Sequence, residues 1–360
     1  MANIYQIGAG LVGKAMALDL AKEHNVFLAD KDSILLQSIK NEFPSIKTQI
    51  LDVNDEGELS KFIKPADIVL LAVPGFLGFK ALEKIIKAKK NVVDISFAPE
   101  DALKLNSLAQ QNNVTAIIDS GVAPGIPNYI LGYHNRSMKI NSFKYYVGGL
   151  PKNPIKPYNY KAPFSPIDVI EEYTRPARMT VDSKVITKPA LSDIELIDFL
   201  DAGKLEAFNT DGLRSILSTM SHIPNMIEKT VRYPGHARLM QEYRTKGYFS
   251  PEKLDKTILK LFEEWKLGPK EEEFTVLDII IKSDDENIHY HLYDEYDEKT
   301  NTSSMSRTTG YTATATVNLI LNNQFTKNGV FPPEIVGGQK SCWNFINHYL
   351  IKKGIHIKKL

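Results

Sequence analysis

The chain has 360 residues, which is enough for a sizeable core and two domains. Its 44 Lys and Arg residues balance 43 Asp and Glu residues, so the net charge does not indicate a nucleic acid or an anionic membrane as partner. Cys342 is the single cysteine, which excludes an internal disulfide, and no apolar run is as long as a membrane span. Because a strand is predicted within a few residues of Met1, we expect a cytoplasmic protein without a signal peptide.

The first third of the chain alternates apolar strand candidates with helix candidates. The strands are predicted at 3–8, 26–30, 47–51, 67–73, 91–95 and 115–119. The helices between them are predicted at 13–22, 32–42, 55–63, 78–88 and 100–112. Continuous apolar strands separated by helices are typical of a parallel sheet that helices cover on both faces, so we predict an α/β fold for this part.

A glycine-rich turn connects the first strand to the first helix. Gly8, Gly10 and Gly13 follow the spacing G-x-G-x-x-G after an apolar strand and before a helix-forming run. In a dinucleotide site, Gly8 makes the tight turn, Gly10 lets the pyrophosphate approach the backbone, and Gly13 lets the helix pack on the sheet. The free N–H groups of the first helical turn then face the phosphates, which adds two predicted contacts, Leu11 and Val12. The motif predicts a Rossmann doubly wound sheet that binds NAD or NADP.

An aspartate ends the second strand, roughly 20 residues past the glycines, the spacing of a dinucleotide site. Asp30 can accept hydrogen bonds from the adenosine ribose and repel a 2′-phosphate, which predicts NAD and makes NADP less favoured. Lys31 could soften that preference. Ligands of such sheets bind outside the carboxyl ends of the strands, so we expect Asp52 near the adenine, with helix capping as the alternative role for each aspartate. The other predicted cofactor contacts are Val73, Pro74, Asp94, Ser96, Gly121 and Val122.

The pattern changes after residue 121. Strands rich in Phe, Tyr and Val are predicted at 142–148, 207–209, 226–233, 274–282 and 287–293, with helices at 165–173, 211–220, 235–246 and 251–264. They indicate a second α+β domain on a mixed, largely antiparallel sheet. A late helix at 311–321 could return to the first domain. We therefore predict a discontinuous dinucleotide-binding domain at 1–122 and about 308–335, a second domain at 123–307, and a C-terminal tail at 336–360 that has no assigned role and a Lys-rich, solvated end.

Five motifs lie after residue 120: GVAPG at 121–125, YVGGLP at 146–151, NYKAPFS at 159–165, LEAFNTDG at 205–212 and KTVRYPGH at 229–236. They resemble motifs of the saccharopine dehydrogenase-like family, whose second domain binds substrate and forms dimers, so the resemblance implies these roles for the domain predicted at 123–307. Within the family they are most similar to L-lysine 6-dehydrogenase, whereas DISFAP at 94–99 resembles the serine-containing turn of saccharopine reductases. The resemblance implies an NAD(P)-dependent oxidoreductase that acts on the CH–NH or CH–NH₂ group of an amino acid, and a homodimer or higher homo-oligomer.

Oxidation of an amine requires a neutral nitrogen, a CH group that faces C4 of the nicotinamide, and a group that moves protons. The catalytic candidates are His236, which titrates near neutral pH, with Lys229 and Asp211. Arg232 or Arg175 could bind a substrate carboxylate through a planar guanidinium. Lys229 and Arg232 point to opposite faces of a regular strand, so both cannot face the same pocket. The other predicted substrate contacts are Thr210 and Asn128. His289 and His291 share a strand face but lack a third ligand, so we predict no metal site.

Two alternatives stay open. The chain could be a saccharopine or carboxynorspermidine dehydrogenase, whose substrate is a secondary amine with more carboxylates than lysine. It could also be a dinucleotide-binding sensor or structural dimer without turnover, because the glycine motif fits such a protein equally well.

Overall fold

The computed structural model describes residues 1–268 and 270–360. The strands in this part of the chain are β1 (Asn3–Ile7), β2 (Asn25–Asp30), β3 (Lys47–Ile50), β4 (Ile68–Leu71), β5 (Val92–Asp94), β6 (Thr115–Ile117), β7 (Ser142–Pro151), β8 (Ala177–Val181), β9 (Lys184–Lys188), β10 (Glu195–Phe199), β11 (Gly203–Asn209), β12 (Asn225–Arg232), β13 (Glu273–Lys282), β14 (Asn287–Glu295), β15 (Gly329–Phe331) and β16 (Ile357–Lys359). The α-helices are α1 (Leu11–Leu20), α2 (Ser33–Glu42), α3 (Glu56–Ile63), α4 (Gly75–Lys87), α5 (Asn106–Gln111), α6 (Ile126–Asn135), α7 (Pro166–Thr174), α8 (Ile216–Thr219), α9 (His236–Thr245), α10 (Pro251–Glu264), α11 (Ser304–Leu321), α12 (Pro333–Gly337) and α13 (Lys340–Lys352).

The chain forms two compact units, each of which is discontinuous in sequence. The first unit consists of Met1–Arg136 and Ser306–Gly354, and the second of Ser137–Met305 and Ile355–Leu360. The boundaries that we predicted from the sequence differ, because α6, α12 and α13 belong to the first unit.

The first unit contains a parallel sheet with the strand order β15-β6-β5-β4-β1-β2-β3. Without β15 this is the doubly wound order of a dinucleotide-binding sheet, whose order reverses between β1 and β4. All six predicted strands are present, so the predicted Rossmann sheet is confirmed. β15 was missed: we interpreted 329–333 as the end of a helix, but Gly329–Phe331 pairs with β6. Gly329 and the prolines at 332 and 333 are typical of a turn, and they led us to interpret this stretch as one.

Local signals explain where the helices of the first unit begin. Asp32 caps α2 by accepting hydrogen bonds from the backbone of Ile34 and Leu35, and Asp55 caps α3 in the same way. Gly132 of α6 and Gly337 of α12 allow a closer approach than side chains would permit, since a methyl group at either position would overlap backbone atoms of the other segment. This packing holds α6 and α12 within the same unit.

The second unit contains a mixed sheet with the order β10-β11-β12-β7-β13-β14-β16, to which β8 and β9 are added beside β12. β7 and β12 are parallel, and the other pairs are antiparallel. The predicted mixed, largely antiparallel sheet is therefore confirmed. The helix predicted at 211–220 shrinks to Ile216–Thr219, because the Gly212 N–H donates to the Glu228 carboxylate and Arg214 has a positive φ of 50°.

The last 25 residues, which we expected as a solvated tail, are folded. α13 lies in the first unit, where the Tyr349 hydroxyl and the Lys353 ammonium both donate to the buried carboxylate of Asp19. Ile357–Lys359 forms β16 and pairs with β14 in the second unit. Among the helices of the described ranges, none combines the length and the apolar character that crossing a bilayer requires.

Candidate functional site

The glycine turn has the conformation that its sequence predicts. Gly8 has a φ of +104°, and a methyl group at this position would overlap the carbonyl oxygen of Ala72. A methyl group at Gly13 would overlap the carbonyl oxygen of Gly8, so α1 packs against β1 only with glycine here. Gly10 differs: apart from its chain neighbours, no described atom lies within 4 Å of a methyl group placed there. Gly8 and Gly13 therefore serve the turn itself, whereas Gly10 leaves space for a ligand.

The N-terminus of α1 fits a dinucleotide pyrophosphate. Gly10 is its N-cap residue, and within the described chain no side chain caps this end and no acidic residue lies in the first turn. The first-turn N–H groups, including those of Leu11 and Val12, have no partner within an α-helix and attract an anion. Leu11 is 54% exposed, so a ligand can reach this turn. These residues can hold the phosphates of NAD or NADP, and the cofactor's nicotinamide supplies the hydride-accepting carbon when it is bound.

Asp30 lies beside the glycine turn, at the end of β2. One carboxylate oxygen accepts a hydrogen bond from the Ala9 N–H at 2.7 Å, and the other accepts from the Asp32 N–H at 3.0 Å. The side chain is partly exposed, and each oxygen retains a further lone pair for a ribose hydroxyl. The ribose contact therefore stays a prediction that this position supports. Lys31, the next residue, is exposed.

The other predicted cofactor contacts divide into exposed and buried groups. Asp52 is exposed and accepts hydrogen bonds from the backbone and side-chain amides of Asn54, so it stabilises the turn after β3. Asp94 and Ser96 are buried against each other, and the Ser96 hydroxyl donates to Asp94 at 2.6 Å. A methyl group at Gly78 of α4 would overlap that hydroxyl, so the Ser96 side chain packs closely against α4, and its cofactor contact stays a prediction. Val73 and Pro74 are partly exposed after β4, whereas Gly121 and Val122 are buried.

Asn128 makes structural contacts, so the predicted substrate contact stays a prediction that this position does not favour. It is completely buried in α6. Its amide nitrogen donates to Glu334 at 3.0 Å, and its amide oxygen accepts from the Gly125 N–H at 3.3 Å. The side chain therefore fixes the start of α6 against α12.

His236 lies in an aromatic cluster of the second unit and is 1% exposed. Its Nδ1 lies 2.7 Å from the carbonyl oxygen of Tyr158, and its Nε2 lies 2.9 Å from the Tyr173 hydroxyl. A carbonyl oxygen only accepts, so Nδ1 carries the proton and Nε2 accepts from Tyr173. Burial lowers the pKa of His236 to about 3, and the nearby charge of Arg232 acts in the same direction. A buried, neutral imidazole with both nitrogens bonded does not favour the proton-transfer role, which stays a prediction.

Arg232 is buried against His236 and does not have a free guanidinium. It donates to the Glu172 carboxylate at 2.7 Å, to the Val231 carbonyl at 2.9 Å and to the Tyr173 hydroxyl at 3.1 Å. Its guanidinium carbon also lies 4.3 Å from the centre of the Tyr160 ring. The carboxylate partner of Arg232 in the structure is Glu172, so the bidentate contact with a substrate carboxylate stays a prediction that these contacts do not favour.

The remaining candidates of the second unit are also paired. On the opposite face of β12, as the spacing predicted, Lys229 donates to the Asp193 carbonyl at 2.6 Å and forms an ion pair with Glu195 at 2.8 Å. The Asp211 carboxylate is buried and accepts two hydrogen bonds from the guanidinium of Arg178. Two further candidates have internal partners: Arg175 pairs with Glu171, and the Thr210 hydroxyl contacts Glu228. None of these arrangements supports the catalytic roles predicted for Lys229 and Asp211.

A buried acid on β12 was missed from the sequence. Glu228 accepts hydrogen bonds from the Thr210 hydroxyl at 2.8 Å and from the Gly212 N–H at 2.9 Å. Burial raises the pKa of its carboxyl to about 8. Glu228 and Arg232 are four residues apart on β12, so their side chains point to the same face of the strand. This spacing was the signal in the sequence that could have identified Glu228.

Two family descriptions match the chain and together cover most of it. The saccharopine dehydrogenase NADP binding domain matches residues 4–117, and the saccharopine dehydrogenase C-terminal domain matches residues 121–355. The chain belongs to the saccharopine dehydrogenase family. The predicted family resemblance is thereby confirmed, and the glycine turn lies within the part of this family member that matches an NADP-binding domain.

Curated relatives of this family member are larger proteins. The alpha-aminoadipic semialdehyde synthase of Arabidopsis thaliana is 26% identical over 217 residues, which cover 56% of this chain and 20% of the relative. The saccharopine dehydrogenase [NADP(+), L-glutamate-forming] of Schizosaccharomyces pombe is 27% identical over 195 residues, which cover 52% of this chain and 43% of the relative. The chain spans less than half the length of these two relatives.

A solved structure of the family confirms the fold. The apo histidine-tagged saccharopine dehydrogenase (L-Glu forming) from Saccharomyces cerevisiae matches with a TM-score of 0.80 at 21% identity, over 100% of this chain and 99% of that chain. At this identity the match shows a shared fold and leaves the substrate open.

Proposed function

We propose that the chain is an NAD(P)-dependent dehydrogenase that oxidises a carbon–nitrogen bond of an amino acid. Membership in the saccharopine dehydrogenase family supports the reaction class. The uncapped N-terminus of α1 and the open space at Gly10 support cofactor binding, since both are features that a bound pyrophosphate needs.

The preferred substrate of this proposal is a lysine-type primary amine with a single carboxylate. One observation supports it: four cations of the described part of the second unit, among them the predicted Arg232, Arg175 and Lys229, already have acidic partners. These pairs are Lys229 with Glu195, Arg175 with Glu171, Arg178 with Asp211, and Arg232 with Glu172. Saccharopine has more carboxylates than lysine and therefore needs more free cations. Oxidation of the terminal amine of lysine would release ammonia and give an aldehyde that cyclises with the α-amine.

NAD is the preferred cofactor of the proposal, and Asp30 supports it. A carboxylate that already contacts the glycine turn at Ala9 would repel the 2′-phosphate of NADP. The name of the matching family domain and that of the Schizosaccharomyces pombe relative favour NADP instead. Dissociation constants of NADH and NADPH, measured by nicotinamide fluorescence, decide between them; tighter binding of NADPH would contradict the preference for NAD.

A saccharopine dehydrogenase is the second candidate, because the names of the Schizosaccharomyces pombe relative and of the Saccharomyces cerevisiae structure favour it. The deciding experiment supplies lysine, other diamines and amino acids, and saccharopine, each with NAD and with NADP. We expect lysine with NAD to produce absorbance of the reduced nicotinamide together with ammonia. Turnover only with saccharopine would refute the lysine proposal, and cofactor binding without turnover of any amine would indicate the non-catalytic alternative.

We further propose that the chain works in the cytoplasm as a homodimer or higher homo-oligomer, with the first unit binding the cofactor and the second contributing to substrate binding. The family resemblance supports the oligomer, and a single cysteine fits a reducing compartment. Light scattering coupled to size-exclusion chromatography measures the oligomer, and a monomeric mass at micromolar concentration would contradict it.

A further inference from the structure

Gln6 is an unusual residue for its place in the fold. It lies in β1, the strand beside the point where the order of the parallel sheet reverses, and it is completely buried. Its neighbours in register, Leu28 on β2 and Leu70 on β4, are apolar and completely buried as well. Central strands of such sheets are normally apolar because helices cover both faces, so an amide at this position calls for a physical reason.

The amide of Gln6 connects the two ends of the glycine turn. Its Nε2 donates to the Gly8 carbonyl at 2.9 Å and to the Gly13 carbonyl at 2.7 Å. Both partners are carbonyl oxygens, which only accept, so the NH₂ group and not the amide oxygen must face them. Gly8 begins the turn and Gly13 lies in the first turns of α1, so one side chain fixes the separation between strand end and helix start.

This arrangement has a cost that an apolar residue would avoid. The amide oxygen of Gln6 is buried and has no hydrogen-bond partner in the described part of the chain. A buried, unsatisfied acceptor destabilises a folded protein, whereas a leucine or methionine at the same place would not introduce one. The contacts that offset this cost are the two hydrogen bonds to the turn.

Asp30 holds the same turn from its other side. Its carboxylate accepts from the Ala9 N–H at 2.7 Å, between the residues that Gln6 contacts. The turn is therefore fixed at three backbone positions, Gly8, Ala9 and Gly13, by side chains of β1 and β2. In this arrangement the N–H groups at the start of α1 point out of the turn before a cofactor arrives.

We infer that Gln6 is a positioning residue for the cofactor: it holds the glycine turn in the conformation that binds a dinucleotide pyrophosphate. The inference rests on the proposed function as a dinucleotide-dependent enzyme. Gln6 does not touch the cofactor, and it acts through the carbonyl groups of Gly8 and Gly13. Loss of its two donors lets the turn sample other conformations, and the cofactor must then supply the ordering free energy on binding.

The test is a graded series at position 6 in the full chain. Gln6→Met keeps the length of the side chain and removes both donors, and Gln6→Glu keeps the shape but donates at most one hydrogen bond, when protonated. We expect the NADH dissociation constant to rise at least about tenfold in Gln6→Met. The net free energy of two ordinary hydrogen bonds is large enough to account for a change of this size. The NADH dissociation constant of Gln6→Glu should lie between those of the unaltered chain and Gln6→Met. Its affinity for NADH should rise as pH falls, because the protonated acid can donate one hydrogen bond. The kcat at saturating cofactor should be unchanged.

A matched control separates positioning from general destabilisation. Thr115 is also buried in a strand of this sheet, and its hydroxyl donates to the Lys327 carbonyl at 2.8 Å, at the amino end of β6. Thr115→Val removes a comparable hydrogen bond away from the glycine turn, so it should leave the NADH dissociation constant unchanged. Hydrogen exchange without cofactor should be faster in Gln6→Met at the amides of Gly8 and Lys14, which donate to the Ala29 and Gly10 carbonyls, and unaltered there in Thr115→Val.

Each outcome has a definite meaning. If the unaltered chain binds neither NADH nor NADPH, the proposed function fails. If it binds and Gln6→Met binds within twofold of it, or if Thr115→Val weakens binding equally, the positioning role of Gln6 is refuted. Should Gln6→Met not fold, the isosteric Gln6→Glu decides the question. If the NADH affinity of Gln6→Glu depends on pH no more than that of the unaltered chain, the inference is contradicted.

Discussion

Replacing Glu228 with glutamine should change how the stability of the second unit depends on pH. The Glu228 carboxyl is 3% exposed. Burial raises its pKa to about 8; the charges of Glu172 and Asp211 act in the same direction, and the hydrogen bond from Thr210 opposes them. In the unfolded chain solvent removes these influences, and the pKa returns to its ordinary value of 4.5.

The sign of the effect follows from the bound proton. Between pH 4.5 and about 8 the folded chain keeps a proton that the unfolded chain has released, so the free energy of unfolding falls as pH rises through this window. At about 1.4 kcal/mol per pKa unit, the difference corresponds to about 5 kcal/mol. Glutamine imitates the protonated acid and does not titrate, so Glu228→Gln should match the unaltered chain near pH 4.5 and exceed it by several kcal/mol above pH 8.

Urea unfolding between pH 4.5 and 9 measures this difference. Trp265 is buried in the second unit, so its fluorescence reports on that unit in a Trp343→Phe background. Glu195→Gln is the control with the opposite sign: burial raises the pKa of the Glu195 carboxyl, but Lys229 and Lys144 lower it more, and the net pKa lies below its ordinary value. That variant should remove stability that is present at neutral pH and lost as pH falls through the carboxyl range.

Parallel stability curves for Glu228→Gln and the unaltered chain would refute the argument. They would mean that Glu228 titrates in the folded chain as it does in water, which a carboxyl buried among Thr210, Thr230 and Gly212 should not do.

Three further predictions address the glycine turn and the buried charges. Gly8→Ala should abolish measurable NADH binding, because a methyl group at a φ of +104° overlaps the Ala72 carbonyl; calorimetric binding like that of the unaltered chain would contradict this geometry. Asp30→Ala should weaken both cofactors, since the Ala9 N–H loses its partner, but NAD more than NADP; an unchanged ratio of dissociation constants would exclude Asp30 as the ribose acceptor. Arg232→Met should lower the free energy of unfolding by about 3–5 kcal/mol, because it leaves Glu172 partly buried without its cation. Adding Glu172→Gln to Arg232→Met should recover part of this loss. If urea unfolding shows no recovery, the two residues are not coupled.

The features that could be predicted from sequence are those that depend on near neighbours. Gly8, Gly10 and Gly13 identify the turn because each glycine meets a requirement of the adjoining strand, helix or ligand, and all three lie within six residues of one another. Six of the seven strands of the first sheet were found for a similar reason: most are apolar runs that alternate with helices. β15 and β16 were missed because they lie outside this alternation, and each forms by pairing with a strand that is far away in sequence.

The roles of the polar side chains needed the tertiary structure. Residue type marked Arg232, His236 and Asn128 as chemically capable, but their partners come from distant parts of the chain. Arg232 pairs with Glu172, which is 60 residues away, and Asn128 pairs with Glu334, which is 206 residues away. His236 is neutral because burial in an aromatic cluster lowers its pKa, and no local pattern reports that burial.

The sequence by itself thus determined the class of the two sheets, the dinucleotide motif and the family, since these depend on spacing and on short stretches of chain. Only the tertiary structure decided which charged groups are already neutralised by one another, because a hydrogen bond or an ion pair is a relation between two positions that folding brings together. It also revealed Gln6, whose role depends on two carbonyl groups that meet it only after β1 and α1 have packed.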